Sequence, residues 1–181
     1  MENTTGYLQY PIGKYQPPDN TNADLQTEWV NVLAALPSWM DACIENLDEA
    51  QLKVPYRDGG WTIQQVVHHL ADSHINAYVR LKLALTEDNP IVKPYDEAAW
   101  ANLPDTFLVP VNVSVTMLHT IHIRMVSLLR NMPEDAWSRT YYHPEHKRSI
   151  PIWEMVAMYA WHSKHHTAHI MELRKRQGWG Y

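Results

Sequence analysis

Four long stretches of this chain repeat apolar residues three and four positions apart, and almost nothing in it alternates with the period of two that a half-buried strand requires. In the first, Leu25, Trp29, Val32, Leu33, Leu36, Met40, Ile44 and Leu47 line one face, with Pro37 marking a kink or a restart. The second stripe runs Ile63, Val66, Val67, Leu70, Ala77, Tyr78, Leu81 and Leu85; Thr62 and Gln65 form a capping box at its start, and Asp88-Asn89-Pro90 stops it. A third helix is expected from about Ser114 to Asn131 and a fourth from about Ile152 to Gln177, ended by Gly178. Elements of that length, each with one apolar face, bury those faces against one another. The expected fold is therefore all-α, a four-helix bundle with long connecting loops, and an antiparallel-type arrangement is the simplest.

The remaining segments are read as connections. Residues 1–20 carry prolines and tyrosines without periodicity and are expected to lie over the domain as an extended arm. Residues 96–103 suit a short helix, residues 133–137 a helical turn, and residues 139–151 a small hairpin turning at His143-Pro144-Glu145. The whole span 1–181 is expected to be one domain, since a chain of 181 residues can bury a single sizeable core. Its loops after the second and third long helices are of the length in which sites are often built.

Composition narrows the function. A formal charge of −5 and a pI near 6.1 argue against a nucleic-acid partner, because phosphate binding needs clustered Lys and Arg. The basic run Arg174-Lys175-Arg176 closes the last helix, where cations complement its dipole. No apolar run approaches the roughly 18 residues of a membrane span, and the first twenty residues do not read as a secretion leader. With Cys43 as the single cysteine, no intramolecular disulfide and no thiolate metal motif can form, which fits a cytoplasmic location.

The strongest local bias is His162-Ser-Lys-His165-His166-Thr-Ala-His169, which holds four of the chain's 11 histidines. In the register of the last helix, His162 and His166 continue the core positions Ile152, Met155 and Tyr159 towards Ile170 and Leu173. His169 borders that face, and His165 turns to the side of Trp161, Met158 and Glu172. Two inward imidazoles at i and i+4 can grip one transition metal, although an inward histidine can equally be a hydrogen-bonded core residue. A third ligand must come from elsewhere. The one comparable cluster is His68-His69-Leu-Ala-Asp72-Ser-His74 on the second helix, and spacing alone leaves His68, His69 and His74 all open. His119 and His122 on the third helix are further candidates, one reading as surface and the other as buried polar.

Several long segments, in order, resemble a known family. "YPIGKY", "PYRDGGWTIQQVVHHLADSHINAYVRLKLALTE", "PYDEAAW", "YHPEHKRSI" and "YAWHSKHHTAHI" together are similar to the YfiT-type metal-dependent hydrolases of the DinB-like superfamily. That resemblance covers nearly the whole chain. It implies a four-helix bundle, a homodimer, and one divalent metal per subunit, zinc or nickel, held by a histidine of the second helix and two of the last. Carried onto this sequence, those positions are His69, His162 and His166.

Three imidazoles with no fourth protein ligand leave coordination positions open, as in catalytic rather than structural sites. Such an ion lowers the pKa of its water and polarises a carbonyl or phosphoryl oxygen, so the expected activity is hydrolysis of a small-molecule substrate whose identity the sequence leaves open. Two alternatives stand beside it: transfer to or from a low-molecular-weight thiol, and a non-catalytic binding module in which the metal stabilises the bundle. Asp72 could orient a ligand imidazole or act as a base, and Arg57 could hold a substrate carboxylate. Either could as well be an ordinary solvated side chain, and no residue is assigned the acid or base role.

Overall fold

Gln65 and Thr62 close a capping box on each other's backbone N–H groups, at 3.0 and 3.1 Å, and this fixes where the second long helix begins. The computed structural model describes residues 4–180. In chain order the helices are α1 (Thr4–Gln9), α2 (Ala23–Ile44), α3 (Glu49–Leu52), α4 (Ile63–Thr86), α5 (Glu97–Trp100), α6 (Pro104–Leu108), α7 (Val111–Asn131) and α8 (Ile152–Gln177). A 3₁₀ turn (Glu134–Ser138) and an antiparallel hairpin of β1 (Thr140–His143) with β2 (Arg148–Pro151) precede α8. The hairpin and the four long helices stand where the periodicity puts them. Pro37 does not interrupt α2, and Gly178 ends α8 in the left-handed conformation at φ 68°.

Three short elements depart from the sequence reading, among them α3, where no helix was expected. The segment expected as an extended arm begins with α1, a single turn and a half that packs on α8. A helix so short owes its existence to tertiary contacts rather than propensity. Likewise α6, with Pro104 in its first turn, follows α5 within the connection.

The four long helices form an all-α bundle in which α2 packs along α7 and α8, and α4 packs along the same two. Their apolar residues fall into two blocks. Residues 29–33 of α2 and 152–160 of α8 lie in one block, and residues 36–43 of α2 and 170–173 of α8 in the other, so these two helices meet the blocks in the same order. Helices α4 and α7 meet them in reverse, with residues 63–71 and 111–118 in the second block and 77–84 and 125–129 in the first. Hence α2 and α8 run one way, α4 and α7 the other, and the neighbours α4 and α7 are parallel. This departs from a simple antiparallel array. It is possible because the connection over residues 87–110 is long enough: α4, at 24 residues, is about 36 Å in length, and an extended chain advances about 3.3 Å per residue.

Between the two apolar blocks lies a polar layer. One group from each long helix contributes to it: the Leu33 carbonyl of α2, His74 of α4, His122 of α7 and His162 of α8. At the far end of the bundle Arg174, fully buried, reaches across from α8 to cap α2. Its guanidinium donates to the carbonyls of Ala42, Cys43 and Glu45 at 3.2, 2.9 and 3.0 Å, groups that the helix itself leaves unpaired. The basic run at 174–176 therefore has a role that dipole complementarity does not describe, while Lys175 stays exposed. Among the described residues no helix is long and apolar enough to cross a membrane.

Removing the guanidinium would strand one buried and two part-buried carbonyls at once. Arg174→Met is expected to lower the unfolding free energy by roughly 2–4 kcal/mol, read from urea midpoints at constant slope, whereas Lys175→Met should stay within about 0.5 kcal/mol of the parent protein.

Candidate metal centre

The inward face of α8 and the first half of α4 meet where the polar layer reaches the bundle's edge. Here His69, His162 and His166 each turn one ring nitrogen to a common point, and these nitrogens lie within 4.8 Å of one another. The Nε2 atoms of His69 and His162 are 3.1 Å apart. Two nitrogens each about 2.1 Å from one ion, at angles between tetrahedral and octahedral, stand roughly 3.0–3.4 Å apart, so the cluster suits an ion with nitrogen ligands. No thiolate or carboxylate belongs to it.

Each ring is held from behind. Trp61, at the end of the glycine loop, packs against His69 with ring centroids 4.6 Å apart and lies nearly parallel to His166. His166 Nδ1 stands 3.3 Å from Nδ1 of His169, whose Nε2 donates to the Gln9 carbonyl of α1 at 3.1 Å. Tyr56 stacks on His169 at 3.9 Å and 18°. His162 Nδ1 is 3.4 Å from His74 Nε2.

The other histidines of the long helices meet different partners, and Nδ1 of His165 is buried without a hydrogen-bond partner. Nε2 of His68 faces the Val109 carbonyl at 3.2 Å and its Nδ1 the Ser114 hydroxyl at 2.7 Å, so both of its nitrogens are engaged. His74 is enclosed between His162 and His122, and His122 reaches the Leu33 carbonyl at 2.6 Å. His165 stacks on Trp161 at 4.4 Å. His119 pairs with Asp41 at 2.7 Å on the surface. Of the three second-helix candidates that spacing left open, His69 is the one whose ring nitrogen groups with those of both His162 and His166, while His74 meets His162 at its other nitrogen. Among the hydrogen bonds of the described residues none joins the Asp72 carboxylate to an imidazole. Asp72 is half-buried, and burial, aided by the nearby Asp105 carboxylate, raises its pKa to about 6.

The sequence reading named His74, His169 and His122, the last correctly as buried polar, but missed their backing role, and it missed the carbonyls of Leu33 and Gln9 altogether. A signal for two of them was present: His74 interrupts the stripe Leu70, Ala77, Leu81, and His122 interrupts Leu118, Met125, Leu129, each at mid-helix. The carbonyls carry no side-chain signature.

A pocket of about 270 Å³ opens beside the cluster. Tyr10, Tyr56 and Trp61 supply aromatic wall, Arg57 supplies charge, and His166 belongs to both the wall and the cluster.

Burial dominates the electrostatics. It lowers the pKa of His69 to about 4 and holds His162 and His166 well below the ordinary value, with neighbouring imidazoles adding to the effect in the last two. Burial likewise lowers His122 and His169 to about 4. These groups are neutral at pH 7, the form in which a histidine ligates. Because their pKa values are about 6.5 in the unfolded chain and lower in the fold, the unfolded state binds more protons between pH 6.5 and about 4. The metal-free protein should therefore hold its full stability above pH 6.5 and lose it on acidification toward pH 4, each such histidine contributing up to about 1.4 kcal/mol per pH unit in that window. Urea midpoints measured from pH 7.5 down to 4.5 check this, and a level profile would contradict it.

Comparison with known proteins gives the site its context. Residues 32–170 match the DinB superfamily. The "Putative metal-dependent hydrolase YfiT" of Bacillus subtilis (strain 168) is 44% identical over 176 residues, which is 97% of this chain and 99% of that protein. A "Putative metal-dependent hydrolase" of Bacillus pumilus (strain SAFR-032) is 46% identical over 172 residues, 95% of this chain and 98% of its own length. Among solved structures, that of YfiT from Bacillus subtilis, described as a probable metal-dependent hydrolase with an unusual four-helix bundle topology, superposes with a TM-score of 0.93 at 44% identity, covering 96% of this chain and 99% of that one. TT2238, a four-helix bundle protein, shares the fold at a TM-score of 0.53 and 19% identity over 84% of this chain and 98% of its own. With relatives of that similarity along nearly its full length, the chain belongs to the DinB superfamily, as a YfiT-type member.

Proposed function

We propose that the protein is a metal-dependent hydrolase in which His69, His162 and His166 hold one divalent ion, zinc or nickel, and a small-molecule substrate enters the pocket lined by His166. The observation that carries this reading is the sharing of His166 between the cluster and the pocket wall: whatever fills the pocket lies against one of the three cluster residues. The names of the relatives point the same way. A divalent ion bound by three neutral imidazoles lowers the pKa of water and polarises a carbonyl or phosphoryl oxygen.

The chain's own residues prepare that chemistry. Burial keeps the three imidazoles neutral and so able to ligate. Trp61 covers His69 and shields the cluster from bulk water on that side. Tyr56, stacked on His169, buttresses the ring behind His166. Arg57 lies over the Tyr56 ring, 5.4 Å from its centroid, with one guanidinium nitrogen on the Asp58 carbonyl. No carboxylate pairs with it among the ion pairs of the described residues, so its charge is available to an anionic part of a substrate.

Purified protein loaded with zinc or nickel is expected to retain about one ion per chain, by elemental analysis after gel filtration, and to hydrolyse at least one member of an ester, amide and phosphoester panel. His166→Ala should drop metal retention below about one-tenth of an ion and abolish turnover while leaving the helical circular dichroism in place. Conjugation of a low-molecular-weight thiol to an electrophile, with no hydrolysis across the panel, would overturn the hydrolase reading.

A further inference from the structure

A carbonyl oxygen can only accept a hydrogen bond, and a neutral imidazole carries one donor and one acceptor. Those two facts assign every ring proton in the polar layer. The Leu33 carbonyl, 2.6 Å from His122 Nδ1, requires the proton on that nitrogen, which leaves His122 Nε2 bare. His74 Nδ1, 3.0 Å away, must then be the donor, so His74 Nε2 is bare in turn. His162 Nδ1, at 3.4 Å, donates to it. What remains is the lone pair on His162 Nε2, the atom that faces His69.

The second ring pair is fixed in the same way. His169 Nε2 donates to the Gln9 carbonyl at 3.1 Å, His169 Nδ1 is therefore bare, and His166 Nδ1 donates to it at 3.3 Å. The lone pair of His166 is again on Nε2. Two relays that begin on unrelated carbonyls thus end with the same tautomer on the two histidines of α8.

The longer relay has a feature in the sequence that explains its anchor. In a continuous helix the carbonyl of residue 33 would accept from the N–H of residue 37, but residue 37 is proline and has none. Pro37 leaves the Leu33 carbonyl free at the depth where His122 meets α2. The proline within α2 thereby becomes part of the site, through four elements and three imidazoles.

We infer that His122 and His74, anchored on the carbonyl that Pro37 frees, and His169, anchored on the carbonyl of Gln9, are positioning residues that set the tautomers of His162 and His166, so that both present Nε2 lone pairs before any metal arrives. The coupling to metal rests on the ligand set proposed above; the tautomer assignment does not. Groups that orient a ligand imidazole through its other nitrogen typically change metal affinity 10- to 100-fold when lost, at least where the partner is a carboxylate or carbonyl. Here the backing groups are themselves histidines, and the effect should pass through two of them.

Two measurements on the protein test this. Long-range proton–nitrogen correlation of the imidazole rings in the ¹⁵N-labelled, metal-free protein at pH 7.5 should show protonated Nδ1 on His74, His122, His162 and His166, and protonated Nε2 on His169. A protonated Nε2 on His162 or His122 overturns the relay. In competition titrations with zinc, His122→Phe and His169→Phe should each bind roughly 10- to 100-fold more weakly, and His122→Gln, which can still donate to Leu33 and accept from His74, should recover most of the loss. His119→Phe, one turn away on the surface of α7, should bind as the parent does. A folded His122→Phe protein that binds zinc within twofold of the parent overturns the coupling. The ring spectrum is read without metal, so failure of the relay and failure of the metal reading are told apart even if no variant folds.

Discussion

A buried imidazole has two nitrogens with opposite needs, one to donate and one to accept, and the interior of this bundle must satisfy several of them side by side. The cost of an unanswered polar group in a low-dielectric core is large on the scale of a protein's net stability. Packing the histidines so that each answers the next, and anchoring the series on carbonyls, satisfies that need without a single buried carboxylate in the polar layer. Carboxylates would stabilise protonated rings; backbone carbonyls do not carry that charge. The rings therefore stay neutral, and burial reinforces the same state.

This constraint also explains why the core comes in two apolar blocks. Leu, Val, Ile and Met side chains fill the bundle on both sides of the histidine layer, and each long helix contributes one group to the layer between. The four helices are thereby held in register at mid-height by directional contacts, where apolar packing alone is permissive of sliding. At one end Arg174 ties α8 to the C-terminal turn of α2, and near the opening α1 ties the N-terminal segment to His169 through the Gln9 carbonyl. The cluster thus adjoins this layer through His162, and its three imidazoles come from two helices.

The pocket is built differently. Its walls come from the N-terminal segment, the glycine loop and the buried histidines His165, His166 and His169 of α8, and the glycine loop turns tightly enough that a Cβ at Gly60 would stand 2.8 Å from the Arg57 side chain. On the proposed reading, a helix-built cluster beside a largely loop-built pocket separates two tasks, holding an ion and shaping the space for a substrate, although Tyr56 and the Gln9 carbonyl tie the pocket wall back to the core and to His169.

Local signals in the sequence carried much of this. Apolar periodicity marks the four long helices, the Thr62–Gln65 box and Gly178 mark two of their ends, and the i, i+4 spacing of His162 and His166 puts both on the inward face of α8. These are properties of neighbours along the chain, and the chain states them directly. His74 lies nearly half a turn round the helix from His69, but His69 was separable from its neighbour His68 only by family resemblance, because those two rings differ in what they meet across the bundle. The parallel pairing of α4 with α7, the capping of α2 by Arg174, the folding of residues 4–9 into α1 and the two histidine relays were decided by the tertiary structure alone. Each depends on a contact between segments far apart in sequence, and in the relays the deciding partner is a backbone carbonyl, a group that every residue possesses and no side chain announces.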